Sequence, residues 1–447
     1  MIEETIAAIA TPVGVGAISI IRVSGTNAVP TVDFMFKGKI RLENAQSHSV
    51  HYGKIFDKYS NLIDEVLVSV FKAPHSYTGE NSVEISTHGN PLILEKILEN
   101  LIEQNIRLAE PGEFTKRAFL NGKIDLTQAE AVIDVISSRT EASLNGARNQ
   151  LNGLLSQKVA GLRADLIYSS SFVELELDFA EEDVEFIKRD ELINRINLII
   201  TEIDLMLKSY SFGKVIRDGV NVAIIGAPNV GKSSILNYIV KEARAIVSEI
   251  PGTTRDVIKE DVSIDGILFR LFDTAGLRIS DDTIEREGIS RSLTVLKDAD
   301  IILAVTDEPT REKIFAEIDF EINPDKIVSV LNKIDIVKPS NHNFHVLISA
   351  KTGEGMTELF KELKEKAIGV EIFSEKTALV TNIRHFKCLS DAKKNLENSL
   401  LSIKSGLSGE FIAQDLREAE NFLNEIIGVV TSDDILNNIF RNFCIGK

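Results

Sequence analysis

Apolar residues recur along this chain in three rhythms, and each rhythm marks a different kind of architecture. Over residues 1 to about 118 the rhythm is short and strand-like. Residues 17–23 have strand character and stop at Ser24-Gly25, 50–56 and 65–71 are two more candidates, and 83–87 alternates cleanly. Glycines at 14, 16, 25, 53, 79 and 89 mark the turns between them. Residues 91–105 switch to a helical period, with Leu92, Ile93, Ile97, Leu98 and Leu101 forming one apolar stripe. Together these predict an α+β domain at 1–118.

From Leu120 the helical period takes over and fills 127 to about 210, with a break near 178–184. Thr127 with Glu130 three residues on reads as a capping box, which makes Thr127 the expected N-cap. Residues 212–219, with glycines at 213 and 219, read as a joint. Beyond it strands and helices alternate. Expected strands lie at 220–225, 266–273, 301–305, 326–332 and 345–349, the pattern of a parallel α/β domain at 217–370. Helical periodicity then returns at 379–401, 410–426 and 432–440. A helical stretch on either side of an α/β domain predicts an insertion. One helical domain, 119–216 and 371–447, is interrupted by the α/β domain, whose ends lie close enough together to make that tolerable. The expected class is multidomain α/β plus α.

Composition narrows the picture. A chain of 447 residues, 44% hydrophobic, supports two to four domains with real cores. No apolar run reaches membrane-spanning length, and Met1-Ile2-Glu3-Glu4 is acidic where a secretory leader would be basic. With only Cys388 and Cys444 there is no disulfide framework, so a cytoplasmic protein without membrane contact is expected. The net charge of -17 argues against non-specific nucleic-acid binding by charge alone, though not against a local basic surface.

The chemistry concentrates in ordered motifs. Gly226-Ala-Pro-Asn-Val-Gly-Lys-Ser233 reads G-x-x-x-x-G-K-S directly after an apolar strand. Its backbone N–H groups, from Asn229, Val230 and Gly231 through Lys232, Ser233 and Ser234, can cradle phosphates. Lys232 reaches the β and γ oxygens, and the Ser233 hydroxyl suits Mg²⁺. Asp273-Thr274-Ala275-Gly276 closes a later strand, offering a carboxylate for Mg²⁺ and a backbone N–H for the γ-phosphate. Asn332-Lys333-Ile-Asp335 follows another strand, and Ser349-Ala350-Lys351 comes next. Asp335 can accept two bonds from guanine that adenine has no donors to make. Asn332 can bond the ring edge at N7, the Lys333 stem can cover the base, and a backbone N–H near Ala350 can read the guanine oxygen. Four such elements in this order predict a Ras-like GTP site. Within residues 250–256, Thr253 or Thr254 is placed to reach Mg²⁺ as a switch residue, and order favours Thr254. The residue after Gly276 is Leu277, which cannot orient water. Asp281, Asp282 and Glu285 follow, and by chemistry alone they read as an exposed acidic loop. Residues 76–89 and 110–118 are polar around an expected strand. They read equally as ligand loops or as surface turns with a helix cap.

Several of these stretches carry a resemblance over essentially the whole length. Ala10-Thr11-Pro12, residues 20–25, Ser76-Tyr77-Thr78-Gly79-Glu80 through His88-Gly89, residues 111–130, 250–256 and 273–278, and the ending Phe443-Cys444-Ile445-Gly446-Lys447 make the chain similar to the MnmE (TrmE) family of tRNA modification GTPases. The resemblance implies an N-terminal domain that binds 5,10-methylenetetrahydrofolate or 5-formyltetrahydrofolate and forms a homodimer. That domain would be related in fold to tetrahydrofolate-dependent glycine-cleavage proteins. Arg22, Glu80, Lys116 and Arg117 stand at the matching folate positions. It implies an FAD-dependent partner, MnmG, in a heterotetramer or larger complex. With tRNA as substrate, an aminomethyl or carboxymethylaminomethyl group would be added at carbon 5 of the wobble uridine. It implies that paired G domains use K⁺ held by Asn229 and by a loop within about 247–252, with Val247, Glu249 and Pro251 as the backbone candidates. Glu285, twelve positions after Asp273, matches the family's catalytic glutamate. Cys444 in the tail is either a nucleophile, a structural residue or a loose thiol. Val15 stands where some relatives carry arginine, a departure in the early glycine loop. The alternative class is a ribosome-associated assembly GTPase without modification activity.

Overall fold

The computed structural model describes residues 4–179, 187–245, 259–273, 295–308, 323–337, 344–368, 380–430, 432–441, 443 and 445–446. Packing groups the described residues into two units. One holds residues up to Ile133 and those from Asn424 onward; the other is Asp134–Leu423.

The first unit is built on a seven-stranded sheet. Its order is Phe36–Gly38, Ser49–Phe56, Leu62–Phe71, Ser82–Gly89, Gly16–Ser24, Ile6–Ile9, Arg107–Leu108. Neighbours run antiparallel except the last pair. Alternation decides which face is covered: along Leu62–Phe71, residues Val66, Val68 and Val70 are buried while Glu65 and Leu67 are exposed. Helices Ala28–Met35 and Pro91–Glu103 supply Val29, Val32, Leu94, Ile97 and Leu101 to the core over that face. The four expected strands are present, each extended at one or both ends. Ile6–Ile9, Phe36–Gly38 and Arg107–Leu108 were not expected, being too short to establish a period. Residues 110–118 read as a ligand loop or as surface turns with a helix cap; from Glu113 on they belong to the helix Glu113–Leu120.

One expectation changes in this unit. The helix Leu126–Ser137 is capped by Asp125, not Thr127. Asp125 Oδ1 accepts from Gln128 N at 2.9 Å, and Gln128 Oε1 accepts from Asp125 N at 3.0 Å, a reciprocal box set two residues earlier. The end of the chain, expected in one helical domain with residues from 119 onward, packs on the start of that domain, and packing groups both with this unit. Leu436, Phe440 and Phe443 pack with Leu126, Ala129 and the partly buried Phe119 and Ile124. Apolar residues on the short helix Asp433–Phe440 need a partner, and this one is within reach.

The second unit joins helices to an α/β sheet. Helices Glu141–Leu151, Leu154–Asp178 and Arg189–Asp218 precede the sheet, and Ile383–Lys404 follows it. Lys393 bonds Asp204 at 2.6 Å, and the rings of Tyr210 and Phe386 lie 4.5 Å apart, so the helices before and after the sheet pack on each other. The joint read at 212–219 narrows to Gly219, φ 75°, because Arg189–Asp218 is one uninterrupted helix that ends there. Gly213 is there for close approach. A Cβ on it would meet the carbonyl oxygen of Val380 at 2.4 Å, while the Val380 N–H donates to Ser209 Oγ at 3.2 Å.

The sheet runs Val346–Leu347, Ile327–Leu331, Ile301–Thr306, Val220–Ile225, Ile267–Asp273, Lys259–Ile264, Arg244–Ala245. Its first five strands are parallel, and buried residues such as Val222, Ile224, Leu303 and Val330 form its core. The antiparallel pair Lys259–Ile264 and Ile267–Asp273 was half missed. The turn signal was present in Asp265-Gly266, whose φ values of 50° and 85° match a two-residue hairpin turn. That hairpin is tied to the helices by an ion pair from Arg139 to the buried Asp261.

Replacing a helix-interior glycine by alanine ordinarily stabilises by about 1 kcal/mol. Gly213→Ala should do the opposite, because the Val380 backbone blocks the methyl, with an expected cost of roughly 1–3 kcal/mol. Urea unfolding of the variant checks the sign.

Candidate functional site

The phosphate loop leaves the strand Val220–Ile225 and enters the helix Lys232–Glu242. Gly231, φ 99°, is the left-handed residue before that helix, and a Cβ there would strike Asn332 Nδ2 at 2.3 Å. The loop is therefore pressed against the segment that carries the second motif. Asn332 is 2% exposed. Its Nδ2 donates to Val230 O at 2.9 Å, and its Oδ1 accepts from Ala350 N at 3.0 Å. One side chain thus joins three of the predicted elements. Asn332 therefore braces the site, and these two bonds leave one Nδ2 hydrogen uncommitted.

Lys333, φ 63°, donates from Nζ to Asn229 O at 2.8 Å and to Asp307 Oδ2 at 2.6 Å, which lays its stem across the mouth between loop and base segment. Ser349 is fully buried, and its Oγ donates to Asp335 Oδ1 at 2.7 Å, holding the exposed carboxylate in place. Lys232 is buried and donates to Gly226 O and Ala227 O, both at 2.8 Å. Ser233 Oγ donates to Asp273 Oδ2 at 3.1 Å. Ser233, Ser234, Asn229 and Lys351 are exposed. Thr254, Thr274, Ala275, Gly276, Asp281, Asp282 and Glu285 lie outside the described residues, as do Val247, Glu249, Pro251 and Cys444.

A second polar constellation occupies the first unit. Arg117 is fully buried; it donates to Glu4 O at 2.8 Å, to Glu80 Oε2 at 3.2 Å and to Glu113 Oε1 at 2.9 Å. Glu80 Oε2 also accepts from Ser24 Oγ at 2.8 Å. On the same strand face, Arg22 pairs with Glu84 at 2.8 Å and lies over the rings of Tyr77 and Phe114, 5.5 and 5.7 Å from their centroids. Arg22 also donates to Gly446 O at 3.4 Å, and Lys116 to Asn437 Oδ1 at 2.9 Å, so both reach the last stretch of chain. Burial raises the Glu113 carboxyl, but the bonds from Arg107, Glu110 N–H and Arg117 outweigh it and hold the group below its ordinary value of 4.5.

The model of the MnmE helical domain matches residues 126–444, and that of the GTP-binding protein TrmE N-terminus matches residues 5–123. The tRNA modification GTPase MnmE of Carboxydothermus hydrogenoformans is 43% identical to this chain, over 100% of both chains. The chain belongs to the MnmE family. That of Christiangramia forsetii is 42% identical, again over 100% of both. Among solved structures, the G domain of the T. maritima FeoB iron transporter is 29% identical over 33% of this chain and 98% of its own, at a TM-score of 0.25.

The residues present fit the groups that MnmE membership implies. Ser233 and Asp273 offer hard oxygen donors side by side, as Mg²⁺ requires. Asn229 is exposed on the loop and offers an amide oxygen of the class K⁺ takes. Glu80 and Arg22, beside Tyr77, combine a carboxylate, a guanidinium and an aromatic face, a set that suits a planar heterocycle with N–H donors. Arg117 reaches that surface only through Glu80, since it has no exposure of its own. Asp307 escaped the sequence reading, while Tyr77 and Phe114 fell within stretches read as candidate ligand loops. Asp307 follows the strand Ile301–Thr306 with no motif to flag it.

Asn332→Ala removes two buried bonds worth about 1 kcal/mol each, so GDP affinity should fall roughly tenfold or more by calorimetry. The depressed carboxyl of Glu113 gives stability that is complete above the unfolded carboxylate value and fades as pH falls through the lower folded one. Thermal unfolding between pH 7 and pH 3 should show this loss, and Glu113→Gln should flatten it.

Proposed function

We propose that this chain is the GTP-hydrolysing component of the machinery that installs an aminomethyl or carboxymethylaminomethyl group at carbon 5 of the wobble uridine in tRNA. The reading rests above all on the Asn332 bridge, which assembles a guanine-type site inside a chain that is MnmE-like from end to end. The protein is a GTPase by family, and among its described residues no helix is long and apolar enough to cross a membrane.

The proposed roles follow from the chemistry of each group. Lys232 exchanges its bonds to Gly226 O and Ala227 O for phosphate oxygens, leaving no unpaired charge behind. Ser233 and Asp273 hold Mg²⁺, which neutralises phosphate charge. Asp335, fixed by Ser349, accepts from the guanine N–H groups, and the Lys333 stem covers the ring. Asn229, with Val247, Glu249 and Pro251, holds K⁺, which places positive charge against the negative charge that develops in hydrolysis. Glu285 orients the attacking water, a task Leu277 cannot perform. Thr254 completes the metal set. Two chains pair as a homodimer. The first unit takes the reduced folate that supplies the one-carbon unit, with Arg22 and Glu80 in contact, Arg117 behind Glu80 and Lys116 at the tail. An FAD-dependent partner, MnmG, completes the reaction on tRNA.

GTP hydrolysis should be much faster in KCl than in NaCl at equal ionic strength, and Glu285→Ala should lower it by roughly a hundredfold or more. Equal rates in the two salts contradict the potassium role.

A further inference from the structure

Asp307 stands one residue past the strand Ile301–Thr306 and belongs to none of the nucleotide motifs. We infer that it is a positioning residue for the monovalent cation: through Lys333 it holds the backbone of Asn229, the loop residue that carries the cation ligand. The inference rests on the K⁺ role proposed for Asn229.

The relay is short and built on fixed backbone. The strands Ile301–Thr306 and Ile327–Leu331 run parallel with Thr306 opposite Leu331, and Asn332 N donates to Thr306 O at 2.8 Å. The turn after Thr306 is set by Glu308 N, which donates to Thr306 Oγ1 at 3.1 Å. At the other strand end, Lys333 O accepts from Ile336 N and Val337 N, both at 2.9 Å. Asp307 and Lys333 are thus mounted side by side, and what remains free is the lysine stem. Such a stem has many rotamers, and Asp307 Oδ2 selects one by accepting from Lys333 Nζ at 2.6 Å. In that rotamer Nζ also donates to Asn229 O at 2.8 Å.

Asn229 needs such a hold. Its φ is 65°, a left-handed backbone that a residue with a Cβ keeps only where its neighbours impose it. Asn229 is exposed, so the direction of its amide follows from that backbone. Charge acts in the same sense. The Asp307 carboxylate neutralises the ammonium on the Asn229 carbonyl, so a cation approaching the loop meets a paired lysine and not a bare one. With the Lys333 and Asp307 side chains 35% and 30% exposed, the pair itself adds little stability, and its worth lies in placement. Partners that orient a metal ligand change metal affinity by roughly tenfold or more, and an exposed relay belongs at the low end of that effect.

The test uses the full chain and K⁺ titrations at constant ionic strength, balanced with choline chloride. Two quantities are followed: GTP hydrolysis and, without turnover, formation of the complex with fluorescent mant-GDP and aluminium fluoride. Asp307→Asn should raise the K⁺ concentration at half-effect roughly three- to tenfold in both, and Asp307→Glu should recover most of the shift. Asp307→Ala, a second variant, should match or exceed Asp307→Asn, and thermal unfolding should show each variant folded. If the wild type depends on K⁺ and the folded variants keep its half-effect concentration, the relay is overturned while the K⁺ reading stands. A loss of mant-GDP binding already present without K⁺, with the half-effect concentration unchanged, assigns Asp307 to base binding and also overturns the relay. If the wild type is indifferent to K⁺ in both readouts, the K⁺ reading falls and the relay falls with it.

Discussion

The nucleotide site depends on one carboxamide. Phosphate loop, base-reading segment and the Ser349-Ala350 turn are far apart in the chain, and nothing local fixes their spacing. Asn332 fixes it by giving a hydrogen to Val230 O and taking one from Ala350 N. Because Asn332 is buried, any shift of one segment relative to another would strand a polar atom without water to satisfy it. The approach is close enough that Gly231 can carry no side chain. The phosphate-loop motif and the segments around Asn332 and Ala350 are therefore one braced object, not two neighbouring ones.

That object stands on helices by a few stiff contacts. The helix Arg189–Asp218 touches the chain on the far side of the sheet at Val380 with no side chain between, and runs straight into the strand Val220–Ile225. The Arg139–Asp261 pair fastens the hairpin that begins at Lys259, immediately after the segment holding Thr254. Severing such a joint leaves a buried carboxylate alone, which is why the pair resists partial adjustment.

Legibility in the sequence followed the range of the forces involved. The strand before the phosphate loop, the parallel alternation after it and the ordered motifs were visible because period and motif are local properties. The roles of Asn332 and Arg117 were not, since each is set by partners distant in sequence. Arg117 read as a ligand contact, and in the structure it is buried and bonds Glu80 and Glu113. Gly213 read as a break because glycine usually is one, whereas here it answers to a backbone 167 positions downstream, at Val380. The cap at Asp125 was legible and misread, as the Thr127–Glu130 pair mimics the same signature two residues later.

The aromatic cluster that closes the first unit has a bearing on biosynthesis. Phe119 and Leu126 obtain their cover from Leu436, Phe440 and Phe443, and Lys116 bonds a residue 321 positions further along. While the ribosome is still making the intervening segment, the sheet can form, but the apolar side chains of the helices Glu113–Leu120 and Leu126–Ser137 stay greasy and open. The part of the molecule translated first is therefore among the last to be sealed, and nascent chains remain sticky on those helices throughout elongation.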